Sequence, residues 1–373
     1  MDCKYNFIYE SQKATAEFFI FASMIDDDFS LKLIKWYSEN KRNLPWRESK
    51  SPYKIWISEI ILQQTKVDQG LPYYLKFIKK FPNVDDLAKA DENIVLKLWQ
   101  GLGYYSRARN LHYSAKYISN HLNGEFPKTY DELIKLKGVG KYTASAIASF
   151  AFNEKKAVLD GNVFRVLSRY FGIEDPIDTT SGSKIFENIA FINLPKKNVD
   201  TYNQSVMEFG ALQCVPRKPK CNICPLKKVC FSYENNQTSL LPFKSEKKKI
   251  KNRFFNFIVF HNSYKETIIE KRETGIWKNL YQFPLLETKK SIKKISRVQI
   301  IDVLKKYCKI GEFTLSKWNK KPIKNILSHQ KIEIDFWVVK IDEHLEEFIN
   351  KENLINYPMP KVLQNFREKF FLC

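Results

Sequence analysis

No stretch of this chain approaches the roughly 18 consecutive apolar residues that a membrane-spanning helix needs, so no transmembrane segment is expected. The apolar run at 18–22 is short and is followed by Asp26, Asp27 and Asp28, which makes a poor signal peptide. Acids are scarce: 41 Asp and Glu face 62 Lys and Arg, a net charge of +21. A bias toward Lys, Asn, Ile and Phe accounts for lysine over arginine, but not for the missing acids. The imbalance suits a polyanionic partner, with nucleic acid first. No internal repeat is evident, which sets solenoids aside. What is present is 373 residues, 44% of them hydrophobic, enough for two globular domains with real cores.

Four of the seven cysteines, Cys214, Cys221, Cys224 and Cys230, fall within seventeen residues, with no histidine among them. Four thiolates this close can enclose one soft metal centre, either structural zinc or an iron–sulfur cluster. The unequal spacing, Cys-x6-Cys-x2-Cys-x5-Cys, argues against zinc, whose four-cysteine sites pair two Cys-x2-Cys arms. It favours a [4Fe–4S] cluster. With Cys3, Cys308 and Cys373 left over, the usage fits a reducing compartment, and the cytoplasm is expected.

Residues 1–29 carry no motif and read as an extension. Residues 30–233 read as mostly helical, with helical apolar spacing through 31–37, 55–62, 71–81 and 94–98. Prolines 45, 52, 82, 127 and 195 interrupt it. Residues 234–251 read as an exposed, lysine-rich linker. Beyond it the period changes. Residues 331–340 alternate, with Ile332, Ile334, Phe336 and Val338 on one face; 253–260 and 266–271 also read as strands, and 296–307 as a helix. Residues 252–373 are therefore expected to be an α+β domain.

Thr129 and Glu132 stand at capping-box separation and begin a short helix ending near Leu136. Gly138-Val139-Gly140 then joins it to a second helix over 142–150. Glycines allow a tight turn and let backbone N–H groups approach a phosphate, with the second helix's N-terminus assisting. Such a grip positions DNA without reading sequence.

These residues carry a resemblance. The run from Leu136 to Ala144, then Val158-Leu159-Asp160-Gly161-Asn162-Val163, then the cysteines, resembles the helix-hairpin-helix DNA glycosylases that hold an iron–sulfur cluster. The segments 56–67, Leu44-Pro45-Trp46-Arg47 and 101–107 narrow it to the MutY-type adenine DNA glycosylases. The resemblance covers roughly residues 30–340. It implies a multidomain protein: a mostly α helix-hairpin-helix domain with a [4Fe–4S] cluster loop, then an α+β Nudix-like domain.

The resemblance also implies roles. Glu59 would protonate adenine N7; its otherwise apolar helix would raise its pKa, although a surface glutamate on an amphipathic helix is the plainer reading. Asp160 would stabilise or capture the sugar cation, and a helix N-cap role is compatible with that. Asn162 would orient the acid and a water, and Tyr142 would support the sugar intermediate. Gln204 would hydrogen-bond the flipped adenine, and Leu44, Trp46 and Arg47 would line its pocket. Gln64 and Tyr104 would wedge into the duplex, and Gln63 and Thr65, on either side of Gln64, would contact DNA. The bifunctional endonuclease III relatives carry a Schiff-base lysine where this chain has Tyr142, so no efficient strand cleavage is expected. Cys214, Cys221, Cys224 and Cys230 would hold the cluster.

The 277–284 segment resembles the signature region of the Nudix-like domain, and Leu327-Ser328-His329 matches that family's Phe-Ser-His loop for 8-oxoguanine, with Leu replacing Phe. A glutamate-rich Mg2+-binding run is lacking, so nucleotide pyrophosphohydrolysis is not expected. The implied partner is double-stranded DNA with A:8-oxoguanine or A:G mispairs, the implied state a monomer without membrane association. A related glycosylase with altered base preference, and a non-catalytic iron–sulfur DNA-binding protein, stand as alternatives. A binding protein would need neither Glu59 nor Asp160.

Overall fold

The computed structural model describes residues 27–246, 250–307, 312–327, 330–341 and 348–372. Most of the expected extension, and Ser328 and His329 of the expected lesion loop, lie outside the described residues. The helices are α1 Asp27–Asn40, α2 Pro52–Leu62, α3 Val67–Lys80, α4 Val84–Lys89, α5 Glu92–Leu98 and α6 Ser106–His121. There follow α7 Tyr130–Leu133, α8 Lys141–Phe152, α9 Gly161–Phe171, α10 Thr180–Ile192, α11 Val199–Leu212 and α12 Phe231–Glu234. Then come β1 Lys251–His261, β2 Glu270–Lys271, β3 Tyr281–Gln282, β4 Leu285–Thr288, α13 Arg297–Leu304, β5 Phe313–Lys317, β6 Ile323–Ile326, β7 Gln330–Ile341, α14 Lys351–Leu354 and α15 Lys361–Phe371. Among the described residues no helix is long and apolar enough to cross a membrane. The described residues form two compact units, one within 27–64 and 120–246, the other within 65–119 and 250–372.

In the first unit, α2 starts cleanly because Pro52 occupies its first turn and the Ser51 hydroxyl accepts the Lys54 N–H. Its residues are apolar nearly all round, and every residue from Ile55 to Ile61 is buried. α9 is amphipathic. Its apolar face, with Val163, Val166, Leu167 and Tyr170, joins Phe29 and Leu33 of α1, Phe186 and Ile189 of α10, and Tyr202, Val206 and Phe209 of α11 in one core. Cys214, Cys224 and Cys230 pack against that core. α9 ends at Gly172, whose φ of +73° suits glycine and where a Cβ would meet the Phe231 ring at 2.6 Å.

In the second unit the sheet runs β4-β1-β7-β5, with β6 also on β7. β1 and β7 are parallel, Phe255 opposite Ile334, and the other pairings are antiparallel. The alternation over 331–340 puts Ile332, Ile334, Phe336 and Val338 on one face as expected, against Leu363 and Phe366 of α15. The opposite face is also buried: Ile258, Phe260, Trp337, Val339 and Ile341 pack on Ile300 and Leu304 of α13. Of the expected 266–271 strand only Glu270 and Lys271 pair as a ladder, while Thr267 makes isolated bridges to His261 and Ile349. The helix expected over 296–307 is shorter, with Ser296 as N-cap of a capping box. Helices α3–α6 belong to this unit. Gln100 and Tyr105 both donate to the Met359 carbonyl at 3.4 Å, and Asn279 donates to Glu92 at 2.6 Å.

Candidate active site

α2 carries Glu59 into the interior of the first unit, where the residue is 6% exposed. α8 sets Tyr142 against it, and the Tyr142 hydroxyl donates to Glu59 Oε2 at 2.5 Å. Burial drives the Glu59 pKa up to about 7, helped by the Asp160 charge and opposed by the Tyr142 hydrogen bond and the Arg47 cation. A carboxyl poised near neutrality can give up a proton at neutral pH and regain it, the requirement for a general acid. The amphipathic surface reading of Glu59 is excluded by its burial.

Asp160 is the N-cap of α9. One carboxylate oxygen accepts the Asn162 and Val163 backbone N–H groups, both at 2.8 Å, and the other accepts the Asn162 side-chain amide at 2.7 Å. Burial raises its pKa, and these hydrogen bonds oppose the rise. Two acids are thus held in unlike environments, one relying on a single phenol and the other on three donors. Arg165, which sequence reasoning missed, extends this arrangement. It donates to Asn162 Oδ1 at 3.0 Å, to the Gly210 carbonyl at 2.6 Å and to the Cys214 carbonyl at 2.8 Å.

Leu44 and Trp46 are buried on a short 3-10 turn, and Arg47 stands over the Tyr37 ring at 5.6 Å. Gln204 on α11 accepts the Tyr37 hydroxyl at 3.0 Å. Gln63 donates to the Thr143 hydroxyl beside Tyr142 at 3.2 Å. Gln64 and Tyr104 both have positive φ, +58° and +47°, an unusual backbone for side chains of this size that recurs at functional sites. Gln64 lies in the first unit, and Thr65 and the half-exposed Tyr104 in the second.

The hairpin is present with both capping-box bonds between Thr129 and Glu132. α7 is shorter than expected and a turn carries the chain to Leu136; Val139 is buried. Of the two glycines only Gly138 (φ +84°) needs glycine's conformational freedom. Gly140 is extended, and a Cβ there would meet nothing within 4 Å, so it leaves open space before α8, whose first turn has no side-chain cap.

Cys214, Cys221, Cys224 and Cys230 line one pocket with Arg169, Tyr170 and Phe209, around about 380 Å³ of atom-free space that includes open solvent. Burial raises the thiol pKa of Cys214 and Cys221, and that of Cys224 to about 11, so a metal centre would have to displace protons. Arg169 fastens the loop, donating to Cys214 Sγ at 3.4 Å and to the Val215 and Pro216 carbonyls. Among the described residues no group of three or more His, Cys, Asp or Glu side chains has the arrangement of a single-ion site. Four thiols lining one pocket are a donor set of the kind that holds a soft metal centre. Arg217, Lys218 and Lys220 are exposed between the first two cysteines.

Residues 57–189 match the model of the HhH-GPD superfamily base excision DNA repair proteins, and residues 256–369 that of the NUDIX domain. The adenine DNA glycosylase of Buchnera aphidicola subsp. Baizongia pistaciae (strain Bp) is 42% identical over 299 residues, 77% of this chain and 84% of that protein. The chain belongs to the adenine DNA glycosylase family. Another member, from Buchnera aphidicola subsp. Acyrthosiphon pisum (strain APS), is 35% identical over 92% of this chain and 99% of its own length. Among solved structures, a thermostable thymine-DNA glycosylase is 32% identical with a TM-score of 0.52, covering 56% of this chain and 95% of its own.

In the second unit, Leu327 is partly buried and packs against the β1–β7 core. Its backbone exchanges hydrogen bonds with Gln330, at 2.8 and 3.4 Å, which joins the residue after β6 to the first residue of β7.

Proposed function

We propose that this adenine DNA glycosylase family member hydrolyses the N-glycosidic bond of adenine mispaired with 8-oxoguanine or guanine, acting as a monomer on double-stranded DNA and without efficient strand cleavage. The observation that carries the reading is the buried Glu59, held near neutrality by an apolar helix and in contact with Tyr142. Glu59 in its protonated form delivers a proton to N7 of the extruded adenine, which turns the base into a neutral leaving group. Asp160 carries the opposing charge for the oxocarbenium-like sugar, and Asn162 holds its carboxylate in place. Tyr142 offers no amine, so the chemistry is hydrolysis and not imine formation.

The base pocket is drawn from Leu44, Trp46, Arg47 and Gln204; Gln64 and Tyr104 each act as wedge residues, and Gln63 and Thr65 contact DNA. The Gly138-Val139-Gly140 turn meets phosphate with its backbone. The four cysteines fit a [4Fe–4S] cluster, whose contribution when bound is to order the 214–230 loop. Residues 30–233 form the glycosylase domain and residues 252–373 the Nudix-like domain that detects the lesion, with Leu327, Ser328 and His329 as its contact residues.

Single-turnover excision on A:8-oxoguanine, A:G and A:T duplexes tests the reading. Adenine release from the first two is expected; absence of release from all three would sink it. Removing residues 252–373 is expected to reduce the preference for 8-oxoguanine over guanine.

A further inference from the structure

Glu208 has no part in the chemistry described so far, yet it is among the most deeply buried charges of the first unit, at 1% exposed. It lies on α11, one turn after Gln204. Its carboxylate accepts four hydrogen bonds. Oε1 takes the Arg42 backbone N–H at 3.0 Å and Arg42 Nε at 2.8 Å; Oε2 takes Arg42 Nη2 at 2.7 Å and Arg47 Nη2 at 2.8 Å. A buried carboxylate with both oxygens saturated by two guanidinium groups is rigid and ionised. Burial works against ionisation, but the Arg42 and Arg47 hydrogen bonds outweigh it and hold the pKa at about 2.

The remaining geometry gives this charge a direction. Arg47 is tied at its other nitrogen to the Arg42 carbonyl at 3.2 Å, so Glu208 and Arg42 together fix its position. Its guanidinium covers the Tyr37 ring, whose hydroxyl holds Gln204. The Arg47 charge also reaches Glu59 and lowers its pKa. We propose that Glu208 is a positioning residue for base excision: through Arg47 it fixes the wall of the adenine pocket and offsets the cation that faces the general acid. The inference rests on the functional reading above.

Among the described residues, the charged and titratable groups around Arg47 and Glu59 include Lys41, whose ammonium lies 5.6 Å from the Tyr37 ring centroid. Tyr37 comes from α1, Arg42 from the following turn, Tyr142 from α8, Asp160 from the start of α9, and Asp200 from α11, where it pairs with Lys50. Among the bonds described, Glu208 supplies the carboxylate that pairs with Arg47, and Arg42 bonds it only through its carbonyl. Neutralising Glu208 leaves the Arg47 cation less balanced, which favours the ionised form of Glu59 and lowers its pKa. Because excision needs protonated Glu59, the high-pH limb of the rate profile then moves to lower pH.

The test is single-turnover excision by full-length Glu208→Gln across pH 5.5–9, with Arg47→Gln and the double variant. The expected result is a rate at neutral pH lower by about tenfold or more. The high-pH limb should move down by on the order of half a pH unit. Because Glu208 acts through Arg47, adding Glu208→Gln to Arg47→Gln should change little. A wild-type rate and limb for Glu208→Gln, or full additivity of the two substitutions, would overturn the inference. Should Glu208→Gln fail to fold, Glu208→Asp keeps the charge and shortens its reach. It is expected to lose rate while the limb moves less, and wild-type behaviour in both would refute the role. Failure of the wild-type protein to release adenine would count against the functional reading instead.

Discussion

Tyr142 donates its hydroxyl to Glu59 at 2.5 Å, joining a residue at the start of α8 to a buried carboxyl 83 positions earlier. The bond favours ionised Glu59 and so opposes the burial that raises its pKa. Tyr142→Phe removes that opposition. The Glu59 pKa should rise, and the high-pH limb of the excision profile should move up by up to one pH unit, roughly the differential worth of one such bond. A pH–rate series on an A:8-oxoguanine duplex reads this directly, and a limb displaced to lower pH would contradict it.

The same burial has a stability consequence. The folded-state pKa of Glu59, about 7, exceeds its ordinary value. Folded protein therefore holds a proton that the unfolded chain loses first as pH rises. Wild-type stability should fall from about pH 4.5 to 7 on this account, by on the order of 3 kcal/mol in total. Glu59→Gln removes the penalty: it should abolish excision and yet melt higher than wild type at pH 8, with a smaller difference at pH 5. Thermal melts at both pH values check the sign; a lower melting temperature at pH 8 would contradict it.

Arg165 joins Asn162 to the Gly210 and Cys214 carbonyls. Arg165→Leu leaves those buried acceptors unpaired, at about 1–3 kcal/mol each. It should depress excision and, if the cysteines hold the proposed cluster, also the iron content of purified protein. Iron analysis alongside single-turnover rates tests the pair. Normal excision with normal iron would show that the chain of contacts carries nothing.

Gly172→Ala must place a methyl group into the Phe231 ring in a backbone conformation alanine resists. A loss of roughly 2 kcal/mol or more is expected in chemical denaturation, with the 214–230 loop loosened because Phe231 directly follows Cys230. A stability change below about 0.5 kcal/mol would contradict the packing described.

Much of this site was legible in the chain. Glu59 stood in an apolar helix, Thr129 and Glu132 formed their capping box, and the period-2 run from Ile332 to Val338 faced one core. The contributions of Glu208, Arg165 and Arg169 were not, because each joins residues at least 45 positions apart that no local spacing marks. A weak signal existed: Glu208 follows Gln204 by one helical turn, and Arg165 follows Asn162 by three residues. The second buried face of β7 was hidden because Trp337, Val339 and Ile341 alternate with residues already assigned inward. The placing of α3–α6 with the C-terminal sheet depends partly on carbonyls such as that of Met359, which any residue could supply.

The proposed function rests on buried Glu59 as the proton donor for adenine release. Single-turnover excision on an A:8-oxoguanine duplex, comparing wild type with Glu59→Gln at pH 7, tests it most directly. The expected result is adenine release by the wild type, falling off above about pH 7, and loss of at least about a thousandfold in the variant. Release by Glu59→Gln at a rate near wild type would contradict the account.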